Sequence, residues 1–406
     1  MWLWIKRWLD WAMNDLALLA RTRPHGQAIH TRYEKAGLAL YDLPVPWNAD
    51  AVVVEVHLRL PPSARRKTDF TLRFPGRDPL PPEVLRQEEA DRHRLLFRLP
   101  TPSASVAGEL LWKHRLLSRV AVPVLTADEF LAGLQLLLPT VSARLGAQAV
   151  AARTFVASQC KGLIASAVLK SPTPLAPVAD LGLRVAFRNE RTNTEYEVPV
   201  ALSSSQLAAR EAVITAVPPR QPRRVGAWTV AWRVGNRELA RQQVQGIPAK
   251  RFEQSLRVSD TRFVVADKAG VVKATRQVPA GDLTRLGPCF LVASSEPGMA
   301  GACVLQIHAQ VPGESRPPLL LEQEVIVTDG PAVFAPGMLE VADLARVTGF
   351  ELRHKGRVLG AISLSPVPTA ALNAEGGFKP PPDFAWSTAA DDELSERLGR
   401  LMGGGS

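Results

Sequence analysis

GAWTVAWRVGNRELARQQVQGI, residues Gly226–Ile247, decides the fold. Trp228, Val230, Trp232 and Val234 fall on one side of a period-two pattern, while Thr229, Ala231 and Arg233 fall on the other. Alternation of that kind is the mark of a strand with one buried face, so both tryptophans belong in a core rather than on a ligand surface. Gly235-Asn236 is a pair able to take positive φ, as a tight hairpin needs. The unit returns twice: Gly108 opens GELLWKHRLLSRVAVPVL and Gly349 opens GFELRHKGRVLGAISLSPV, with Lys355-Gly356 as the third turn. His114-Arg115 in the first copy lacks that turn signal. The three glycines stand 118 and 123 residues apart, which suits one small β domain per copy.

Working outward, each copy starts with an aromatic strand followed by Lys-x-Gly or Lys-Gly. The stretches are TRYEKAGLALYD with Tyr33, Lys35 and Gly37, RTFVASQCKGLIASAVL with Phe155, Lys161 and Gly162, and TRFVVADKAGVVKA with Phe263, Lys268 and Gly270. A long alternating strand comes next, at 51–61, 180–189 and 302–312. Further strands are expected at 69–74, 195–202 and 318–327, then at 94–99, 211–217 and 332–335. Six or seven short strands in about 100 residues is the pattern of an immunoglobulin-like or fibronectin-like β-sandwich.

The expected fold class is therefore all-β: three tandem sandwiches with an N-terminal amphipathic helix and a short C-terminal helical arm. The expected divisions are a helix over 1–25, sandwiches over 26–126, 151–248 and 259–368, a helical linker over 127–150, a linker over 249–258, and a proline-rich tail with a short helix over 369–406. Ala127 to Leu134 (ADEFLAGL) is echoed by Ala249 to Leu256 (AKRFEQSL), which predicts packed junctions with Phe130 and Phe252 as wedges. Thr126 is placed to cap a helix through 127–138, with Asp128 and Glu129 at its positive end.

On a wheel of 100° per residue, Trp2, Trp4, Ile5, Trp8, Leu9, Trp11, Ala12, Leu16, Leu18 and Leu19 share an arc of about 200°. Lys6, Arg7, Asp10 and Asn14 fill the other side, and Arg23-Pro24 ends the segment. The charges preclude a transmembrane span. Trp4, Ile5, Trp8, Trp11, Leu16 and Leu19 are the residues expected to meet a protein partner or a membrane surface, the alternative being a helix packed on the chain's own first domain. At the other end, Ser387 to Met402 reads as a short helix with acidic residues at its start, carried on the proline-rich KPPPDF stretch.

Composition bounds the function. The chain has 406 residues, 46% hydrophobic and 22% charged, so most of it can fold, and 34 prolines with 28 glycines disfavour long helices. The net charge of +10 comes from 38 Arg and 11 Lys, and the basic clusters at 65–67 and 220–224 lie in proline-bearing stretches without aromatics, which argues against nucleic acid. Cys160, Cys289 and Cys303 stand in no metal-binding spacing and read as reduced thiols. With charges inside the apolar N-terminus and no cleavage site, the expected location is the cytoplasm, at most peripheral to the inner membrane surface.

The phosphate-cradling, zinc-binding and serine-nucleophile motifs are absent from the sequence, and no cofactor or catalytic residue is expected. His57 and His308 sit at matching places of copies one and three, where copy two has Ala186, and the flanking polar residues explain both as parts of a solvated face. The reading is a non-enzymatic scaffold or adaptor. The alternative is an enzyme or ligand sensor whose site is assembled between domains.

Overall fold

A computed structural model describes residues 24–367 apart from 42–43, 61–65, 90–91, 221–222, 269, 271, 280–282 and 365. The N-terminal segment with Trp4, Ile5, Trp8, Trp11, Leu16 and Leu19, and the arm from Ser387, lie outside the described residues. What is described is mostly β-sheet, in three successive strand sets.

The first set comprises β1 (His25–Lys35), β2 (Leu38–Leu40), β3 (Val45–Pro46), β4 (Ala51–Arg59), β5 (Phe70–Arg73), β6 (Val84–Gln87), β7 (Arg92–Leu99), β8 (Val106–Trp112), β9 (Arg115–Val122) and β10 (Val124–Leu125). Its sheets run β2-β1-β4-β7-β6 and β5-β8-β9, and β3 pairs with β10 in parallel. After α1 (Ala127–Gly133), the second set has β11 (Gln135–Leu145), β12 (Gln148–Ala151), β13 (Thr154–Val156), β14 (Cys160–Lys170), α2 (Val178–Leu181), β15 (Leu183–Asn189), β16 (Thr194–Val200), α3 (Ser204–Ala208), β17 (Glu211–Ala216), β18 (Gly226–Val234) and β19 (Arg237–Ile247). Sheets β12-β11-β14-β17 and β16-β15-β18-β19 face each other across one core.

Following α4 (Ala249–Ser255), the third set has β20 (Leu256–Asp267), β21 (Val272–Thr275), β22 (Val278–Pro279), β23 (Leu283–Ser294), β24 (Met299–Gln310), β25 (Leu319–Val327), β26 (Ala332–Phe334), β27 (Leu339–Glu340), β28 (Gly349–His354), β29 (Arg357–Ser363) and β30 (Pro366–Val367). Here β21-β20-β23-β26 packs on β25-β24-β28-β29, and β22 pairs with β30 in parallel.

The closing hairpin of each set is where the alternation placed it: β8-β9, β18-β19 and β28-β29 are antiparallel pairs. Trp228 and Trp232 are 1% and 0% exposed, so the indoles fill the second core. Gly235 and Gly356 take positive φ at their turns, and in the first hairpin Lys113 and His114 do so without a glycine, at 45° and 66°. The turn is dictated there by the strands it joins.

Three expectations change. The helix after Thr126 stops at Gly133, and β11 follows at once, so the expected 127–150 linker is helical only over its first turns. Pro139 cannot continue a helix, and Val141, Ala143 and Leu145 alternate into the core as a strand requires. The second copy's opening hairpin is β11-β12, turned at Gly146 with φ 58°, whereas Lys161-Gly162 lies inside β14. Likewise β4 is not the counterpart of β15 and β24: β4 lies beside the first strand of its set, while β15 and β24 each pair with the first strand of the closing hairpin, the place β5 takes in the first set. His57 on β4 and His308 on β24 therefore occupy different sheets.

The helices between sets are plugs. Thr126 and Glu129 form a reciprocal capping box, and α1 carries Phe130, 1% exposed, into the second core with Trp47 5.8 Å away by ring centroids. In the same way α4 carries Phe252, 0% exposed, into the third core. Each plug serves the core that follows it.

Candidate interaction surfaces

At the first junction, polar groups do the joining. Lys35 is buried at 4% exposure, and its ammonium bonds Asp180 of the second set as well as Asp50 at 3.4 Å. Asn48 donates to Asp180 Oδ2 at 3.0 Å. Lys268, the matching lysine of the third copy, is exposed at a turn, so one sequence marker has two structural roles. The helix α3, closed by a capping box between Ser203 and Gln206, packs against the edge strand β2. Gln206 also donates to Val213 O at 3.1 Å, which occupies part of the free edge of β17.

At the second junction the backbone itself is continuous. β13 pairs in parallel with β19 on one side and with β24 on the other, so the two sets share one nine-stranded sheet. The amides of Arg153 and Thr154 both donate to Gly298 O, at 3.0 and 2.9 Å. Gln159 then imitates a strand neighbour, donating to Ala302 O and accepting from Ala302 N, both at 2.7 Å. Gly301 is required at this crossing because a Cβ there would stand 2.7 Å from Val156 Cγ2 and 2.8 Å from the Phe252 ring. Beside the crossing lies an open groove of about 570 Å³, lined by Thr140, Ala151, Arg153, Gln243 and Asp329 among others.

Across the outer face of β1, β4 and β7 runs a charged network that the linear sequence shows only as Glu55-x-His57. Glu55 is 5% exposed. Its carboxylate accepts from Arg94 Nη2 at 2.7 Å, Tyr41 Oη lies at 3.5 Å, and His57 Nε2 lies 2.9 Å from Oε1. His57 Nδ1 faces Glu88 at 3.1 Å. Burial alone would raise the Glu55 carboxyl, but hydrogen bonds from Arg94 and His57 and their charges outweigh it and hold the group below its ordinary value. The face around His57 is thus a buried ion network, not a solvated surface, and Glu55 has its partners already engaged. His308, by contrast, contacts Pro317 O at 3.0 Å.

A second concavity, about 270 Å³, lies over Ala186 and Ala231 on β15 and β18, rimmed by Arg188, Arg233, Arg241, Glu190 and Glu195. Arg241 is bidentate to Glu238 at 2.9 Å, and its hydrogen bond holds Glu238 low, so much of the rim's charge is internally matched. The three thiols are free and buried. Burial pushes Cys289 to about 11 and Cys303 to about 12, the reverse of what a nucleophile needs. Among the described residues no group of three His, Cys, Asp or Glu side chains could hold a metal ion, and no helix is long and apolar enough to cross a membrane.

No family model matches the chain, and no curated protein matches it. Among solved structures, Yersinia pseudotuberculosis InvD is similar over 84% of this chain and 98% of its own, at 11% identity and a TM-score of 0.23. FdeC, an Escherichia coli adhesin, is similar over 84% and 96%, at 11% and 0.25. Domains 1–6 of the surface layer protein SbsC are similar over 90% and 41%, at 11% and 0.29. At these scores neither domain arrangement nor function carries over.

Proposed function

We propose that the chain is a non-enzymatic scaffold or adaptor, built of three tandem immunoglobulin-like sandwiches, that holds its two ends apart and docks through its N-terminal tryptophan segment. The observation that carries this reading is the second junction, where a shared strand, the Gln159 clamp and the Phe252 plug join two sets without a flexible linker. A hinged catalytic cleft needs relative motion; a spacer needs its absence. Three unpaired cysteines support a cytoplasmic setting. Trp4, Ile5, Trp8, Trp11, Leu16 and Leu19 are the docking residues of this proposal. Burying two or three such side chains contributes several kcal/mol at about 25 cal/mol per Å², enough for an anionic membrane surface or a protein groove. The intact chain should cosediment with phosphatidylserine-containing vesicles, and Trp4→Ala/Trp8→Ala/Trp11→Ala should abolish it. Undiminished cosedimentation of the triple variant rules out docking through this segment.

The groove at the second junction favours a second reading, a ligand sensor with an interdomain site. Its lining carries two charged residues, Arg153 and Asp329, and Asp329 already accepts from Gly298 N at 2.5 Å.

A further inference from the structure

The two junctions differ at one corresponding place. In the first, edge strand β2 is covered by α3, which sits in the ten-residue connection 201–210 between β16 and β17. In the second, edge strand β12 corresponds to β2, since each is the short partner of the first strand of its set. The connection facing it, between β25 and β26, is only Thr328 to Pro331. The groove lies there, with Ala151, Ala152 and Arg153 on one wall and Asp329 on the other. β12 pairs only with β11, and its sequence, QAVA, has neither charge nor proline to guard the open side.

We propose that the acidic C-terminal arm, Asp383 to Glu396, seats in this groove in cis and supplies the cover that α3 supplies at the first junction. Charge fits the occupant. Residues 368–406 contain six acidic and three basic side chains, a net of −3 on a chain of +10. Arg153 lines the groove, and among the described residues its guanidinium has no ion-pair partner; Arg144 lies further along the same outer face, opposite Ala149, and is exposed. The spacing of Thr388 and Asp391 repeats that of Ser203 and Gln206, the capping pair of the helix seated on β2. Reach is ample. Arg357, at the start of β29, donates to Glu253 O of α4 at 2.6 Å, so β29 leads away from the junction. Ten residues from Arg357 to Val367 cover about 33 Å, and the 21 residues from Val367 to Thr388 can return about 70 Å.

Hydrogen exchange on the full chain tests this. In Asp391→Lys/Asp392→Lys/Glu393→Lys, amides of Gln148–Ala152 should exchange at least about tenfold faster than in the unaltered protein, while Leu38–Leu40 under α3 stays unchanged. Arg153→Glu alone should give the same acceleration, and combining it with the triple reversal should restore protection. Equal exchange in the triple variant and the unaltered chain overturns the proposal, as does failure of the combined variant to recover. Protection that rises with protein concentration assigns the contact to a second copy and overturns the seating in cis.

Discussion

Phe252→Ala is the sharpest test of how the sets are joined. The side chain is fully buried and belongs to the third core with Val156, Ile247, Leu256 and Met299, although it stands on the helix that leaves the second set. Removing a buried phenylalanine costs about 3–5 kcal/mol, the transfer loss plus the cavity left behind. Collapse into that cavity is resisted on one side, because β24 at Met299 and Ala300 is held by β13. Since about 1.4 kcal/mol is a factor of ten in an equilibrium, amides of Met299–Gln310 should exchange at least about a hundredfold faster under native conditions. Ala51–Arg59, in a core that Phe252 does not touch, should be unaffected. Native-state hydrogen exchange read by mass spectrometry resolves both stretches. Acceleration below about threefold at β24, or equal acceleration at β4, refutes the claim that the plug belongs to the following core.

Three further outcomes are expected. Lys35→Met removes the ammonium shared by Asp50 and Asp180, whose side chains are about half exposed; the stability loss should be about 1 kcal/mol in a chemical melt, with a broader distance distribution between spin labels placed across the first junction. Because Glu55 is held below its unfolded value, its contribution is present above the ordinary carboxylate range and disappears as pH falls through the folded value, so Glu55→Gln should flatten the acid limb of a urea-midpoint profile. Cys303 runs the other way. Its folded value is raised to about 12, so its contribution is complete below about 9 and is lost as pH rises towards 12, a difference on the order of 4 kcal/mol; Cys303→Ala should be measurably less alkali-sensitive than the unaltered chain, and equal alkaline melting would contradict burial of the thiol.

The closing hairpins were legible because their signals are local: strict alternation around Trp228 and Trp232, and turn pairs such as Gly235-Asn236. The plugs were legible as repeated ADEF and AKRF stretches. β11 was hidden because a genuine capping box precedes it and Leu136 to Leu138 have no period. Strands of two or three residues, such as β3, β13 and β22, are too short to show alternation, and their pairing partners lie about 80 to 90 residues away. The Glu55 network draws Tyr41, Glu88 and Arg94 from separate strands. Only the Glu55 and His57 spacing was visible, and a surface ladder has the same spacing.

The shared strand β13 also has a mechanical consequence. Tension drawn along the chain would reach the second and third sets as a single body, because their backbones are bonded in parallel through Thr154, Phe155 and Val156, where pulling must shear several bonds together. At the first junction the load would fall on side chains, the Lys35 ion pairs and the Asn48 amide, which fail one at a time. Stretched from its ends, the molecule is built to give way near residue 126 before it gives way near residue 248.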